Sequence, residues 1–264
     1  MTAAVAVALL AAAARRLTGS ASAAAAAALL TGTAPVWWRR AVSAEVFAGA
    51  ALFAAASIWL IARVRDGELS PGRGLPLAGL LAGVGLAQQP VLLLMFPGLA
   101  LMAGGALRRA VPYMAIGLAL YLILPIRAAT DPRMNWGAPA TAAAWRDHVL
   151  RREFGTASFS PAAAEPFTPR LAARQAGAYA ASLSDAYTPV GVAIGLAGAA
   201  AWWRRERWLA AGAVIAALGS GLGFLLLARV SPEPDRWVVL EKHLMASLVP
   251  AGLLVAFGLA SLAR

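Results

Sequence analysis

An all-α, polytopic bundle of transmembrane helices is the fold class that this sequence predicts, and three observations carry it. Hydrophobic residues make up 61% of the chain and charged residues only 13%, with a mean hydropathy of +0.70, whereas a soluble domain is about 25% charged and about half apolar. Apolar runs rich in Ala, Leu, Gly and Val recur along the chain, which is the pattern of helical spans and not the alternation of a β-barrel. The arginines stand in short clusters between those runs. That spacing is the flanking charge of membrane segments, so the net charge of +11 does not point to nucleic acid as a partner. Membrane lipids are the expected surroundings.

The runs follow in order. Residues 1–14 are short for a span, which needs about 20 residues, and read as the tail of an incomplete first helix. Arg15 and Arg16 close it. A nearly pure Ala/Leu run, 17–36, ends at Trp37, Trp38, Arg39 and Arg40, an interfacial anchor. Run 44–62 has Glu45 at its mouth and is followed by a polar turn with Asp66, Gly67 and Glu68. Runs 75–87 and 91–107 are separated by Gln88, Gln89 and Pro90. Run 111–124 leads into the most polar part of the chain. Beyond it lie 182–201, 208–228 and 244–263, giving about nine hydrophobic segments in all. The predicted organisation is N-terminal transmembrane helices over 1–126, an extracytoplasmic loop over 127–178, and C-terminal transmembrane helices over 179–264.

Residues 121–155 hold the only Asn, Asn135, together with Asp131, Asp147, Glu153, His148 and five arginines, Arg127, Arg133, Arg146, Arg151 and Arg152. Two readings stay open: a solvated loop between spans, or a cover over a site at the membrane face. Within it, 145–154 has the spacing of a short amphipathic helix, with Trp145 and Val149 on one face and Asp147 and Arg151 on another.

Charge orients the bundle. If Arg15 and Arg16 are cytoplasmic, alternation puts Arg63, Arg65, Arg73, Arg108, Arg109, Arg204, Arg205, Arg207 and Arg264 on that side too, eleven basic residues in all. The short outer connections hold five, Arg39, Arg40, Arg229, Arg236 and Lys242. This orientation also sends nine of the twelve acids outward, among them Glu45, Asp131, Glu165, Glu233 and Glu241. A plasma (inner) membrane protein with its polar site on the extracytoplasmic face is the expectation.

Individual groups carry competing readings. Glu45 is either a first-turn acid suited to the helix dipole, with Ser43 as cap, or a carboxylate directed into an outward cavity. Arg39 and Arg40 suit a lipid phosphate, because the guanidinium fork matches phosphate oxygens. The Asn135-Trp136-Gly137 loop is expected to fold back onto the outer membrane face near Glu45 and residues 229–243, with Arg127 and Arg236 as the cations of a shared site. Asp66-Gly67-Glu68 reads as a solvated turn. Gly79/Gly83, Gly191/Gly195 and Gly219/Gly223 have the spacing of close helix packing. The absence of Cys excludes Cys-based zinc sites, and two histidines, His148 and His243, are too few for a His-rich metal site, so no metal and no cofactor are expected.

Three blocks together resemble a known family. Trp38 to Phe47 is similar to a W-x-x-x-x-x-AEVY block. The stretch containing Gln88-Gln89-Pro90 is similar to an LGLG-HHPT-LLLLP block. The third block holds Leu120-Tyr121-Leu122, Pro125-Ile126-Arg127-Ala128, Asp131-Pro132 and Asn135-Trp136-Gly137-Ala138-Pro139, and is similar to LYLPLRA-x-x-DP-x-x-NWG-D-P. The family comprises bacterial membrane proteins similar to the eukaryotic multi-span protein O-mannosyltransferase, and it resembles the GT-C glycosyltransferases. The resemblance implies inverting transfer from a polyprenyl-phosphate sugar, used as a substrate, to an acceptor it does not specify, with a carboxylate as general base. With the charge reading above, Glu45 is the candidate base, and Arg39, Arg127, Asp131, Asn135, Trp136 and Arg236 are the candidate substrate-binding residues. The chain departs from the family at Gln88-Gln89, which stand in place of a His-containing pair, and at Ala138, which stands in place of Asp. The family's Asp-x-Gly-Glu loop would fall upstream of Met1, so binding without turnover is expected. A transporter or flippase-like carrier of a lipid-linked substrate is the alternative; it calls for paired broken helices near mid-membrane, and Gln88-Gln89-Pro90 is the one break the sequence displays.

Overall fold

The computed structural model describes residues 1–42, 46–135, 137–152 and 164–263, with the backbone alone for 105–107. Among them every regular element is helical and none is a strand. The protein is an all-helical membrane protein with four helical stretches long and apolar enough to cross a bilayer: Phe47–Arg65, Val111–Ala128, Pro169–Ala228 and Pro234–Leu262.

Local chemistry sets the boundaries. Helix α1 (Thr2–Thr18) stops at Gly19, whose φ of 72° is left-handed and costs a glycine little. Helix α2 (Ala21–Thr33) starts where the Ser20 hydroxyl accepts from the N–H of Ala23 at 3.2 Å. Helix α3 (Pro35–Ala41) opens on a proline that needs no N–H partner. Helix α4 (Phe47–Arg65) ends at Asp66 and left-handed Gly67. Helix α5 (Pro71–Gln88) ends because Gln89 precedes Pro90 and is forced out of the helical region, to φ −145° and ψ 101°. A 3₁₀ turn, Pro90–Met95, then feeds α6 (Phe96–Ala103).

Helix α7 (Val111–Leu118) passes through a 3₁₀ turn into α8 (Ile123–Ala128). The apolar run therefore continues as helix past Pro125, where the sequence pattern marks its end. The amphipathic segment is α9 (Ala142–Val149), shifted toward the N-terminus because the Thr141 hydroxyl caps Ala144 at 3.2 Å. Its Asp147 pairs with Arg146 and Arg152.

Helix α10 (Pro169–Leu218) begins inside the stretch read as loop, capped by Thr168 on the N–H of Leu171 at 3.1 Å. It is broken at Thr188 (φ 61°, ψ 159°) and at Glu206 (φ −141°, ψ 72°). Thr188 precedes Pro189, which disfavours the helical region, and its hydroxyl accepts from the N–H of Gly191 at 3.2 Å, capping a fresh helix. The break at Glu206 turns the chain back: Tyr179 before it donates to the carbonyl of Ala217 after it, at 2.9 Å. A π turn, Gly219–Gly223, leads to α11 (Phe224–Ala228), then α12 (Pro234–Glu241) and α13 (Met245–Leu262).

The sequence pattern suggests about nine segments, and four stretches meet the length and apolarity of a span. The difference has a physical source. Ala21–Thr33 and Pro90–Ala103 are apolar but short, cut by the breaks at Gly19 and Gln89, while Pro169–Ala228 counts as one stretch although the breaks at Thr188 and Glu206 divide it, as the sequence pattern does.

The main core draws on α1, α2, α4, α6, α10 and α13, with Leu10, Ile58, Met102, Leu209, Met245 and Phe257 all fully buried. Small residues let backbones approach. Gly83 faces Met114 and Gly117, and Gly198 faces Gly258, with no space for a Cβ at either. Buried polar groups reach across the bundle to backbone carbonyls. Tyr187 donates to the carbonyl of Leu248 at 2.5 Å, and Gln175 donates to those of Leu225 and Val230 at 2.7 and 3.0 Å.

The ionic groups gather at the two ends of α4, which its 19 residues separate by about 28 Å. At its C-terminal end Arg16 binds Asp66 (2.6 Å) and Glu68, Arg63 binds Glu68 (2.7 Å) and Arg65 binds Glu206. Asp66 and Glu68 are thus an ion-paired turn.

Candidate functional site

At the opposite end of α4 a second set of polar groups meets. On α3, Arg39 donates to Glu241 Oε1 at 2.7 Å. Arg40 donates to the carbonyl of Val238 at 3.0 Å and lies 3.9 Å from Glu241 Oε2. The Arg40 and Glu241 side chains are each 13% exposed, so this is a shielded pair and not a rim contact. Lys242 stands over the Phe47 ring at 5.0 Å. His243 is held between Phe47, edge to face, and Phe224, stacked, each at 4.6 Å between centroids.

Two adjoining cavities of about 450 and 610 Å³ open beside this cluster and share Phe53 and Gln88. Gln88 donates from Nε2 to the carbonyl of Val46 at 2.9 Å. Gly49 makes this possible, since a Cβ there would lie 2.9 Å from the Gln88 amide oxygen. The smaller cavity is also lined by Tyr121 and His148. Gln88 Oε1 and His148 Nδ1 are both buried, and neither has a hydrogen-bond partner among the described residues. Two unsatisfied polar atoms at one cavity are costly unless a ligand or water engages them.

Gly137 approaches this cavity through α9. Trp145 donates to the carbonyl of Tyr121 at 2.8 Å, and His148 Nδ1 lies against Gly137, where a Cβ would sit at 2.8 Å. Asn135 donates to the carbonyl of Ala128 at 3.4 Å, and the backbone N–H of Asp131 donates to the same carbonyl at 3.1 Å with a left-handed φ of 45°. Arg127, Asp131 and Asn135 therefore gather at the end of α8. Arg236 is placed elsewhere: it donates to Glu165 Oε1 at 3.1 Å, while the adjacent Glu233 binds Arg174. The hydrogen bond and charge of Arg174 hold the Glu233 carboxyl below its usual range. Glu45 and Trp136 lie outside the described residues. Ala41 and Val46, the nearest cavity-lining residues on either side of Glu45 in the sequence, border the larger cavity.

The sequence-derived candidates among the described residues thus fall into three separate groups, with Arg39 beside the cavities, Arg127, Asp131 and Asn135 at the end of α8, and Arg236 at the start of α12. Sequence reasoning missed the groups that line or flank the cavities: Gln88, His148, Tyr121, Glu241, Lys242 and His243. The signals were present. Gln88 begins the polar break in the apolar run, and the two histidines are the only ones in the chain.

Residues 3–105 match the protein O-mannosyl-transferase TMEM260 N-terminal domain. That is a glycosyltransferase family, and the matched segment carries Arg39, Glu45 and Gln88 but ends before α7. No curated protein and no solved structure matches the chain.

Proposed function

We propose that the chain is a glycosyltransferase-like membrane protein of the protein O-mannosyltransferase type, which binds a polyprenyl-phosphate sugar at the end of α4 facing away from the cytoplasm. One observation carries the reading: a cavity with two unpartnered polar atoms, Gln88 Oε1 and His148 Nδ1, beside a shielded Arg–Glu pair, within and next to the segment that matches an O-mannosyltransferase domain. Gln88 and His148 suit the hydroxyls of a sugar, each taking one hydrogen bond that the protein leaves unmade. Arg39, Arg40 and Lys242 stand against Glu241, so the described side chains there are net cationic and suit a phosphate. Arg127, Asp131, Asn135 and Trp136 would shape the cover of the site, and Arg236 would add positive charge at its edge. The proposed location is the inner membrane, nine hydrophobic segments crossing it in a GT-C-like arrangement, oriented by the eleven-to-five excess of basic residues.

Transfer needs a carboxylate within hydrogen-bond reach of the acceptor hydroxyl. Glu45 is the candidate base, and no Asp-x-Gly-Glu occurs in the 264 residues. The expected outcome is therefore binding without turnover. In a binding assay of the purified chain with a labelled polyprenyl-phosphate hexose, Gln88→Ala and His148→Ala should each weaken binding about tenfold, the loss of roughly one hydrogen bond to a buried partner. Unchanged binding in both variants would remove the site. Robust transfer that disappears on Glu45→Gln would instead make Glu45 the working base.

A further inference from the structure

A third cavity, of about 440 Å³, lies toward the other end of the bundle between α4, α5, α6 and α7. Its volume falls in the range of small-molecule sites, about 300–1,000 Å³, but its lining is almost wholly aliphatic: Ile61, Leu75, Ala82, Phe96 and Met114 are representative, and Ser57 supplies the one side-chain hydroxyl. Such a lining gives a sugar or a nucleotide nothing to bond. The cavity opens past Leu93 and Val111, which are 56% and 51% exposed. Those side chains lie on spanning or neighbouring apolar helices, so the opening faces lipid hydrocarbon and not water.

One end of the cavity is charged. Leu75 and Ala110 line it there, and the exposed side chains of Arg73, Arg108 and Arg109 stand one or two residues away in the chain. Gly79 packs against the backbone of Ala110, which brings these two stretches together. Three arginines near this end are occupied: Arg16 with Asp66, Arg63 with Glu68, and Arg65 with Glu206 and with the carbonyl of Met102 at 3.1 Å. Arg73, Arg108 and Arg109 have no carboxylate partner among the described residues. An aliphatic slot that opens into the bilayer, ending at three uncompensated guanidinium groups, matches a molecule with a hydrocarbon tail and an anionic head. Basic pockets between spans select such headgroups, and Arg forks suit phosphate oxygens.

We propose that this cavity seats an acyl chain of an anionic phospholipid, with the phosphate held by Arg73, Arg108 and Arg109. The site lies at the opposite end of α4 from the sugar-donor site, and it stands or falls independently of that reading. From Leu75 to Ala82 the slot runs about 10 Å along α5, enough for part of a chain while the rest stays in the bilayer.

The test uses the full chain reconstituted in phosphatidylcholine vesicles doped with phosphatidylglycerol or phosphatidylcholine bearing a diazirine on one acyl chain, followed by photolysis and peptide mapping. Phosphatidylglycerol should label residues 75–114 about tenfold more than phosphatidylcholine does. The triple variant Arg73→Gln/Arg108→Gln/Arg109→Gln should bring the two probes level, with labelling elsewhere unchanged. These side chains are exposed, so the variant tests charge without disturbing the core. Ala82→Phe should suppress labelling of this segment by both probes. Equal labelling of the unmodified chain by the two lipids, or retained preference in the triple variant, overturns the proposal. So does a diazirine-bearing polyprenyl phosphate that displaces phosphatidylglycerol from this segment, because the cavity would then hold the tail of the sugar carrier.

Discussion

At the scale of single residues, the charged groups outside the spans behave differently from those inside. Partial burial pushes the Asp66 carboxyl up, but the hydrogen bonds from Arg16 and from the backbone N–H of Glu68, with the charges of Arg16 and Arg63, outweigh it and hold the group below its usual range. A carboxyl depressed in the folded state contributes its stability above the unfolded value, about 3.9, and loses it as the pH falls through the folded value. The native chain in detergent should therefore lose thermal stability relative to Asp66→Asn as the pH drops below about 4, and the two should converge in more acidic buffer. The difference at neutral pH should be roughly 1 kcal/mol or less, because the pair is partly solvated. A gap that widened on acidification would contradict the assignment. Residue chemistry was partly legible in the sequence. Arg39 stood out as an outward cation, but its partner Glu241 is 202 positions away and no local pattern announces it.

At the scale of elements, small residues decide which helices touch. Gly258 leaves no room for a Cβ against the backbone and side chain of Ile194, so Gly258→Leu forces α13 away from α10. Overpacking of this kind costs about 1–3 kcal/mol. Thermal denaturation should show a clear drop for Gly258→Leu and none for Gly177→Ala, where a Cβ meets open space. Equal stability of the two variants would mean that the helices can part freely. The sequence displays these elements unevenly. Caps at Ser20, Thr141 and Thr168 follow ordinary signals, and Thr188-Pro189 is itself a cap followed by a first-turn proline. That last signal hides inside an apolar run, where hydrophobicity alone reads as one uninterrupted helix. The Gly79/Gly83 spacing did foretell a close contact, whereas the Gly198–Gly258 approach joins glycines on different helices and has no signature in either.

At the scale of the molecule, the two ends of α4 divide the chemistry: an ion-paired end at Arg16, Asp66 and Glu206, and an end at Arg39, Gln88, His148 and Glu241 where polar side chains line or flank the two adjoining cavities. The proposed orientation puts the first inside the cell. Because the chain has no native cysteine, Arg236→Cys should react with an impermeant thiol reagent on intact cells while Asp66→Cys stays protected until the cells are opened. The reverse pattern would invert the topology and move the sugar site to the cytoplasm. Composition made the membrane class plain. The clustering of ends did not follow from composition, because it depends on which helices fold back, and the reversal at Glu206 rests on one residue's backbone.

Helix α13 is buried on 14 of its 18 residues and packs against α1, α2, α4 and α10. It also follows every one of them in the chain, so during synthesis the ribosome delivers the centrepiece after the parts that surround it. Until then the alanine- and glycine-lined faces of the earlier helices have only lipid to cover them. The order of synthesis thus leaves the surfaces that meet α13 waiting for their partner until the most enclosed of these helices has been made.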